Sequence, residues 1–348
     1  MSGGPSLKGS LIRRMLELNE TGFYITSCRR KEEEADYYAE RSHCGMIEIP
    51  DTFIERMHEL YGKEGVAWSK ALPGLITDCA GRFNFSPEAP FSNLSYNFVL
   101  RAKLSDGKPA VLKSSFMKDE LSREVSVLRA YEGRGMIHVL DADEEQGVAL
   151  LEGADPGTPL STIEDDALAT NIFCEVFRRL HLPAATGSLY PTMRQHFAAI
   201  ERYRERFNDV NIAAPLPESW VENAEECLAY LITTTSENLL LHGDLHHENI
   251  LRQGEEKWAV IDPKGIIGDI HFDTIQYLLN YEDRGGDCEQ VLRRRIAIMT
   301  DRLGLDPRRI AMWGIARGVL EACWTIENGG KDWHKGIQLT ERFAKCLD

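Results

Sequence analysis

The sequence predicts an α+β chain in two lobes: a small N-terminal lobe built on a mixed β-sheet with one helix, and a larger, mainly helical C-terminal lobe. Three observations carry this expectation. Residues 80–151 read as strand, turn, strand, helix, strand, strand. A break follows at Gly153-Ala154-Asp155-Pro156-Gly157. Beyond it, apolar residues recur at helical spacing as far as Glu327. The 348 residues therefore divide into an extension over 1–45, expected to be poorly ordered, an N-terminal lobe over 46–151, and a hinge with a C-terminal lobe over 152–348.

The elements follow in order. Asp51 or Thr52 begins a helix that carries Phe53, Met57 and Leu60 on one face, and a second helical run spans Val66 to Cys79. Pro87 and Pro90 then break the chain. Two strands, Tyr96 to Leu104 and Pro109 to Lys113, flank Ser105-Asp106-Gly107-Lys108, and Asp-Gly between apolar runs is a strong hairpin signal. Lys118 to Tyr131 has Leu121, Val125 and Leu128 at helical spacing; short strands follow at Met136 to Asp141 and Val148 to Leu151. In the second lobe, helices are expected over Ile163 to His181, Met193 to Phe207, Glu218 to Ile232, Phe272 to Tyr281, Cys288 to Leu303 and Arg308 to Glu327. Asp306-Pro307 serves as cap and first turn of the last of these. Leu239 to His242 and Trp258 to Ile261 read as short strands.

Composition narrows the function. A net charge of −15 opposes general nucleic-acid binding, which wants a basic face, and suits a cationic small molecule as well as it suits solubility. The eight cysteines are scattered and form no C-x-x-C pair, so they read as reduced thiols of a cytoplasmic protein. No apolar run is long enough to span a membrane, and the first residues lack the apolar core of a secretory signal. Oligomeric state is not legible.

The chemistry concentrates in His242-Gly243-Asp244-Leu245-His246-His247-Glu248-Asn249, which follows the apolar run Leu239-Leu240-Leu241. Asp-x-x-x-x-Asn is the pattern of a kinase catalytic loop, in which the Asp accepts the proton of the acceptor hydroxyl and the Asn holds a metal. Thirteen residues after Asn249, Asp262 ends a short apolar strand, well placed to hold Mg²⁺. Phosphoryl transfer asks mainly for in-line positioning and neutralised phosphate charge. Mg²⁺ takes hard oxygens from one or two side chains and the rest from phosphates. Asn249 and Asp262 supply such oxygens, and Asp244 stays free to orient a hydroxyl.

The loop, with Gly243 between His242 and Asp244, resembles that of the aminoglycoside phosphotransferases. His242 to Leu251, Ile261-Asp262-Pro263, Gly265-x-x-Gly268-Asp269, Asp306-Pro307-Arg308-Arg309 and the Trp324 region together are similar to the streptomycin 6-phosphotransferase and hydroxyurea phosphotransferase group, over about residues 85–330. The resemblance implies a bilobal protein-kinase-like fold, with ATP and Mg²⁺ between the lobes and a small hydroxylated acceptor, a streptomycin-type aminoglycoside first among candidates. It makes Lys113 the strand lysine for the α- and β-phosphates, paired with Glu124, with Glu120 as the rival partner. It puts Ser92 and Ser95 in the phosphate-covering loop, here without glycine, and makes Glu152 to Ala154 the adenine hinge. Kinases of other metabolites, hydroxyurea phosphorylation and an inactive kinase-like binding module remain the alternatives. The presence of Lys113, Asp244, Asn249 and Asp262 together speaks against the last.

Other readings compete at single positions. Asp-x-x-x-x-Asn alone is a common polar turn. His242 and His246 have i, i+4 spacing, but Gly243 opposes a helix and the pattern lacks the Glu of a zincin, so His242 is expected to brace the loop. Lys113 and Glu124 would serve as well in a surface pair. Asp269, Asp273, Glu282, Asp283, Asp287 and Glu321 form an acidic supply for a cationic acceptor, with Asp269 and Glu321 the named candidates; as a group they also suit a solvated surface.

Overall fold

A computed structural model describes residues 47–184, 190–208, 213–281 and 286–347. The reading of residues 1–45 as an extension lies outside them, as do Glu282 and Asp283. The described residues form two compact units, one of 47–129 with 137–155, the other of 130–136 with those from 156 to 347. The sequence placed the boundary after 151, a few residues before the observed one.

The first unit starts with helix α1 (Asp51–Phe83), which buries Phe53, Met57, Leu60, Leu72, Ile76 and Cys79 on one side. The two helical runs expected here are present: the helix breaks at Gly62 (φ 62°, ψ −142°) and a second run continues through Pro73, because glycine takes that conformation without a Cβ clash. Strand β1 (Phe85–Pro90) contains the two prolines expected to break the chain. It is an edge strand, paired only with β2 (Asn97–Leu104), and its register shifts between Pro87 and Pro90; edge strands accept proline because the missing N–H faces no partner.

The expected hairpin joins β2 to β3 (Pro109–Ser115). Gly107 adopts φ 87°, and its N–H donates to Leu104 O at 2.9 Å. Helix α2 (Lys118–Tyr131) has the bounds read from the sequence. Strands β4 (Val139–Asp143) and β5 (Val148–Glu152) complete a five-stranded sheet in the order β1-β2-β3-β5-β4. Every pairing in it is antiparallel, where a mixed sheet was expected. One apolar core unites the inner face of α1 with Phe98, Leu100, Leu112, Val148 and Leu150.

The second unit holds two small antiparallel sheets. Strand β6 (Pro156–Pro159), in the segment expected to be a linker, pairs with β9 (Ile250–Gln253), which pairs with β10 (Lys257–Val260). Strand β7 (Leu182–Pro183) pairs with β8 (Leu239–Leu241), and β8 with β11 (Ile266–Gly268). Around them lie α3 (Asp166–Phe177), α4 (Met193–His196), α5 (Ala198–Arg206), α6 (Glu218–Thr234), α7 (Ile275–Leu279), α8 (Cys288–Leu303), α9 (Pro307–Glu327) and α10 (His334–Ala344). The expected run from Met193 is divided at Phe197, and that from Phe272 becomes a 3₁₀ turn, Ile270–Thr274, followed by α7. Asp306 caps α9 through Arg308 N–H (2.8 Å), with Pro307 in its first turn as read. Helix α10 was not anticipated. It packs on glycines of α9, where a Cβ on Gly314 would come 2.2 Å from the Phe343 ring.

Arg295 is the buried tie of this unit. It is 0% exposed, and its Nε and Nη2 donate to Asp166 Oδ1 at 2.9 and 2.6 Å. Its remaining N–H groups reach the carbonyls of Asn280 (2.7 Å) and Tyr281 (2.8 Å). It thereby joins α3, α8 and the chain leaving α7. Arg295→Met strands Asp166 Oδ1 and the Asn280 and Tyr281 carbonyls while Arg294 still holds Asp166 Oδ2 (2.8 Å), so it is expected to cost about 1–3 kcal/mol for each stranded group, read from denaturant unfolding. The double variant Asp166→Leu/Arg295→Met recovers part of that loss.

Candidate active site

In the first unit, Lys113 lies on β3 and Glu124 on α2. Lys113 Nζ reaches Glu124 Oε1 at 2.9 Å and Oε2 at 2.7 Å, and the residues are 4% and 8% exposed. The surface-pair reading is thus excluded, and Glu120, one turn earlier, is exposed. A desolvated lysine bridged by both carboxylate oxygens is held in one place. Ser92 is exposed and Ser95 half-buried in the turn between β1 and β2. That turn is tethered by Arg56 of α1, whose Nη1 donates to Leu94 O at 3.0 Å. At the expected hinge, Glu152 Oε2 accepts from His138 N–H (3.1 Å), Gly153 N–H donates to Pro109 O (3.1 Å), and Ala154 is half-buried.

In the second unit, β8 runs into the catalytic-type loop. Gly243 adopts φ 82°, and a Cβ there would approach Ile266 Cδ1 to 2.8 Å, so glycine is required on both counts. The carboxylate of Asp273 accepts the backbone N–H of His242 at Oδ2 (2.9 Å) and of Gly243 at Oδ1 (2.7 Å). His181 Nε2 sits 2.9 Å from the same Oδ2. Burial alone would raise the Asp273 carboxyl, but His181, His242 and the Gly243 N–H outweigh it and hold it below the usual carboxylate range.

His242 braces the loop, as expected. Its Nε2 lies 2.8 Å from Ile261 O, and its Nδ1 accepts Asp244 N–H at 3.1 Å, a pattern that defines the neutral tautomer. Burial lowers its pKa in accord. Both ring nitrogens are used, which removes the zinc reading.

The Asp244 side chain retains 23% exposure, and its Oδ1 accepts from Gln276 Nε2 at 2.8 Å. Burial pushes this carboxyl up, but the charges of His246 and Lys264 and the Gln276 hydrogen bond prevail and keep it ionised. Asn249 Nδ2 donates to Asp244 O at 2.9 Å, which fixes the amide so that its oxygen is the end left for another ligand. Ile261 N–H donates to Asn249 O at 3.0 Å, extending the β9–β10 ladder. This brings Asp262 beside Asn249. Asp262 itself takes φ 59°, a conformation that costs a non-glycine residue about 1–2 kcal/mol. The turn that imposes it is closed by Lys264 and Gly265 N–H groups on His242 O, at 2.8 and 3.2 Å.

Residues 86–329 match the family described as aminoglycoside/hydroxyurea antibiotic resistance kinase. The chain belongs to that family. It is 32% identical over 286 residues to streptomycin 6-kinase of Streptomyces griseus, covering 81% of this chain and 92% of the relative. It is 29% identical over 291 residues to hydroxyurea phosphotransferase of Kitasatospora aureofaciens, covering 82% of each. A thermostable mutant of an aminoglycoside phosphotransferase, in ternary complex with ADP and hygromycin B, superposes with a TM-score of 0.57 at 15% identity, over 80% of this chain and 98% of that one. A choline kinase from Streptococcus pneumoniae gives 0.55 at 17% identity, over 79% and 98%. The fold is protein-kinase-like, and the chain is a phosphotransferase acting on hydroxyl groups of small molecules.

Two acidic residues of this kinase have internal roles rather than the acceptor-binding one expected. Asp269 is 4% exposed; its Oδ1 meets His271 Nδ1 (2.6 Å), and its Oδ2 accepts from Arg309 Nε (3.0 Å) and Trp313 Nε1 (3.0 Å). Both oxygens are engaged, Oδ2 tying the end of β11 to α9 and Oδ1 holding the 3₁₀ turn that follows. Asp273 anchors the catalytic loop. Asp287 is exposed, and Glu321 is half-buried and paired with Arg317. The sequence reading missed Gln276 and gave Lys264 no role. Gln276 follows Asp273 at i, i+3, the one local signal that would have pointed to it. Asp273→Ala strands two buried N–H groups at about 1–3 kcal/mol each. The expected result is faster amide hydrogen exchange at His242 and Gly243 together with a fall in kcat; unchanged exchange there would contradict the anchoring role.

Proposed function

We propose that this chain moves the γ-phosphate of ATP, with Mg²⁺, to a hydroxyl of a streptomycin-type aminoglycoside. One observation carries the proposal: an Asp244 carboxylate is oriented by Gln276 on the loop whose Asn249 carbonyl accepts the N–H of Ile261, the residue before Asp262. Asp244 accepts the proton as the acceptor oxygen forms its bond to the γ-phosphorus, the bond from that phosphorus to the β,γ-bridging oxygen breaks, and ADP leaves. Lys113, fixed by Glu124, supplies the cation for the α- and β-phosphates, and Ser92 and Ser95 stand in the loop that covers them. Backbone groups of Glu152 to Ala154 serve the adenine.

The residues fit a magnesium ion. The Asn249 amide is held with its oxygen outward, and Asp262 adds a carboxylate; hard oxygens from one or two side chains are what Mg²⁺ takes beside phosphates. When bound, the ion neutralises charge on the phosphate oxygens.

The streptomycin assignment rests on the named relatives, and the net charge of −15 suits a cationic acceptor. Glu321 remains a candidate contact for it. Among the described residues no helix is long and apolar enough to cross a membrane, and the six described cysteines are free; a cytoplasmic enzyme, where ATP is at hand, agrees with both. The test is ADP release by purified protein with Mg²⁺ and ATP against streptomycin, other aminoglycosides, hydroxyurea and simple sugars. Turnover with streptomycin is the expected result. Turnover with hydroxyurea or a sugar alone would keep the kinase and overturn the acceptor.

A further inference from the structure

His196 is a polar side chain of the second unit that phosphoryl transfer as described leaves unused. Its place is well determined. Thr192 and Gln195 close a capping box on α4, with Thr192 N–H donating to Gln195 Oε1 at 2.9 Å. Ile267 N–H donates to Pro191 O at 2.8 Å, and Met193 packs so tightly on Gly268 that a Cβ there would come within 2.5 Å of Met193 Cγ. The segment is thus stitched to β11, the neighbour of β8, and β8 leads directly into Asp244.

The imidazole stands edge-on to three rings. Its centroid lies 5.4 Å from that of Phe197, 5.3 Å from Phe272 and 5.6 Å from Trp324, with interplanar angles of 78°, 72° and 87°. Phe272 immediately precedes the loop anchor Asp273. Trp324 carries the Arg317 guanidinium 4.9 Å from its ring centroid, and Arg317 is paired with Glu321. Among the described residues, neither ring nitrogen of His196 makes a hydrogen bond, although the residue is only half-buried. The partly exposed ring nitrogens are open to a polar group of a ligand rather than committed to the protein.

The protonation state agrees. Burial and the Arg317 charge outweigh the attraction of Asp244 and bring the His196 pKa down to about 3. Asp244 and Arg317 are both near enough to act on the ring. A neutral imidazole offers one donor and one acceptor nitrogen, which matches a hydroxyl or an amine.

We propose that His196 reads the acceptor, its imidazole hydrogen-bonding a hydroxyl or amino group of the acceptor ring beside the hydroxyl that Asp244 deprotonates. The inference rests on the streptomycin-type reading and deepens it, since such a ring carries hydroxyl and amino groups next to the one that is phosphorylated.

The test compares His196→Phe, which keeps an aromatic ring in the cage, with His196→Gln, which keeps a hydrogen-bonding group. For His196→Phe, the KM for streptomycin is expected to rise about tenfold, with the KM for ATP unchanged. His196→Gln is expected to recover most of the loss. A Phe variant equal to the wild type, or a Gln variant impaired as much as the Phe variant, overturns the inference while wild-type turnover preserves the reading beneath it. If the wild type does not phosphorylate streptomycin, the reading falls and the inference with it.

Discussion

The second unit depends on one carboxylate. Asp273 takes the backbone N–H groups of His242 and Gly243 and faces His181, so the loop that carries Asp244 hangs from a buried, ionised acceptor. Everything downstream follows from that anchor. With the backbone at Gly243 held at positive φ, His242 turns its ring to bridge Asp244 N–H and Ile261 O. That bridge spans from the catalytic loop to the end of β10. Ile261 N–H donates in turn to Asn249 O, and Asp262, the next residue, takes a left-handed φ of 59°, a local cost that the surrounding hydrogen bonds offset.

The same economy governs the other buried charges. Asp166 is spent on Arg295 and Arg294, Asp269 on Arg309, Trp313 and His271, and Glu124 on Lys113. Each carboxylate is satisfied inside its own unit, Asp166 and Asp269 by elements far along the chain and Glu124 by the preceding strand. An acidic composition therefore overstates the charge offered to an acceptor: of the six acidic residues that composition put forward, the structure holds Asp269 and Asp273 inside. Asp244 is the contrasting case. It is ionised, partly exposed and held by Gln276 through one oxygen, which suits a group that must take a proton from a substrate.

What was legible in the sequence was local. His242 to Asn249 and Asp262 announce themselves because the site uses short spacings along one loop and the next strand. Lys113 and Glu124 are eleven residues apart on a strand and the helix that follows. The hairpin at Asp106-Gly107 and helix α2 were read with their bounds nearly right, since turn chemistry and apolar spacing agree there. What was missed is tertiary. Two prolines in β1 read as a break because nothing local says that the strand lies at a sheet edge. Asp273 is 31 residues from His242 and looks from the sequence like any other acidic residue. His196 lies on a helix of one turn, and beside its neighbour Phe197 only the rings of two distant residues, Phe272 and Trp324, give it a context.

The central claim is a division of labour between two aspartates, Asp244 for the acceptor proton and Asp262 for the metal that accompanies the nucleotide. The most direct measurement is calorimetric titration of ATP into Asp244→Asn and Asp262→Asn, with and without Mg²⁺, alongside turnover. The account predicts that both variants lose turnover, that Asp244→Asn retains Mg²⁺-dependent ATP binding, and that Asp262→Asn loses the magnesium enhancement. Near-normal turnover by Asp244→Asn, or an undiminished magnesium enhancement in Asp262→Asn, would contradict it.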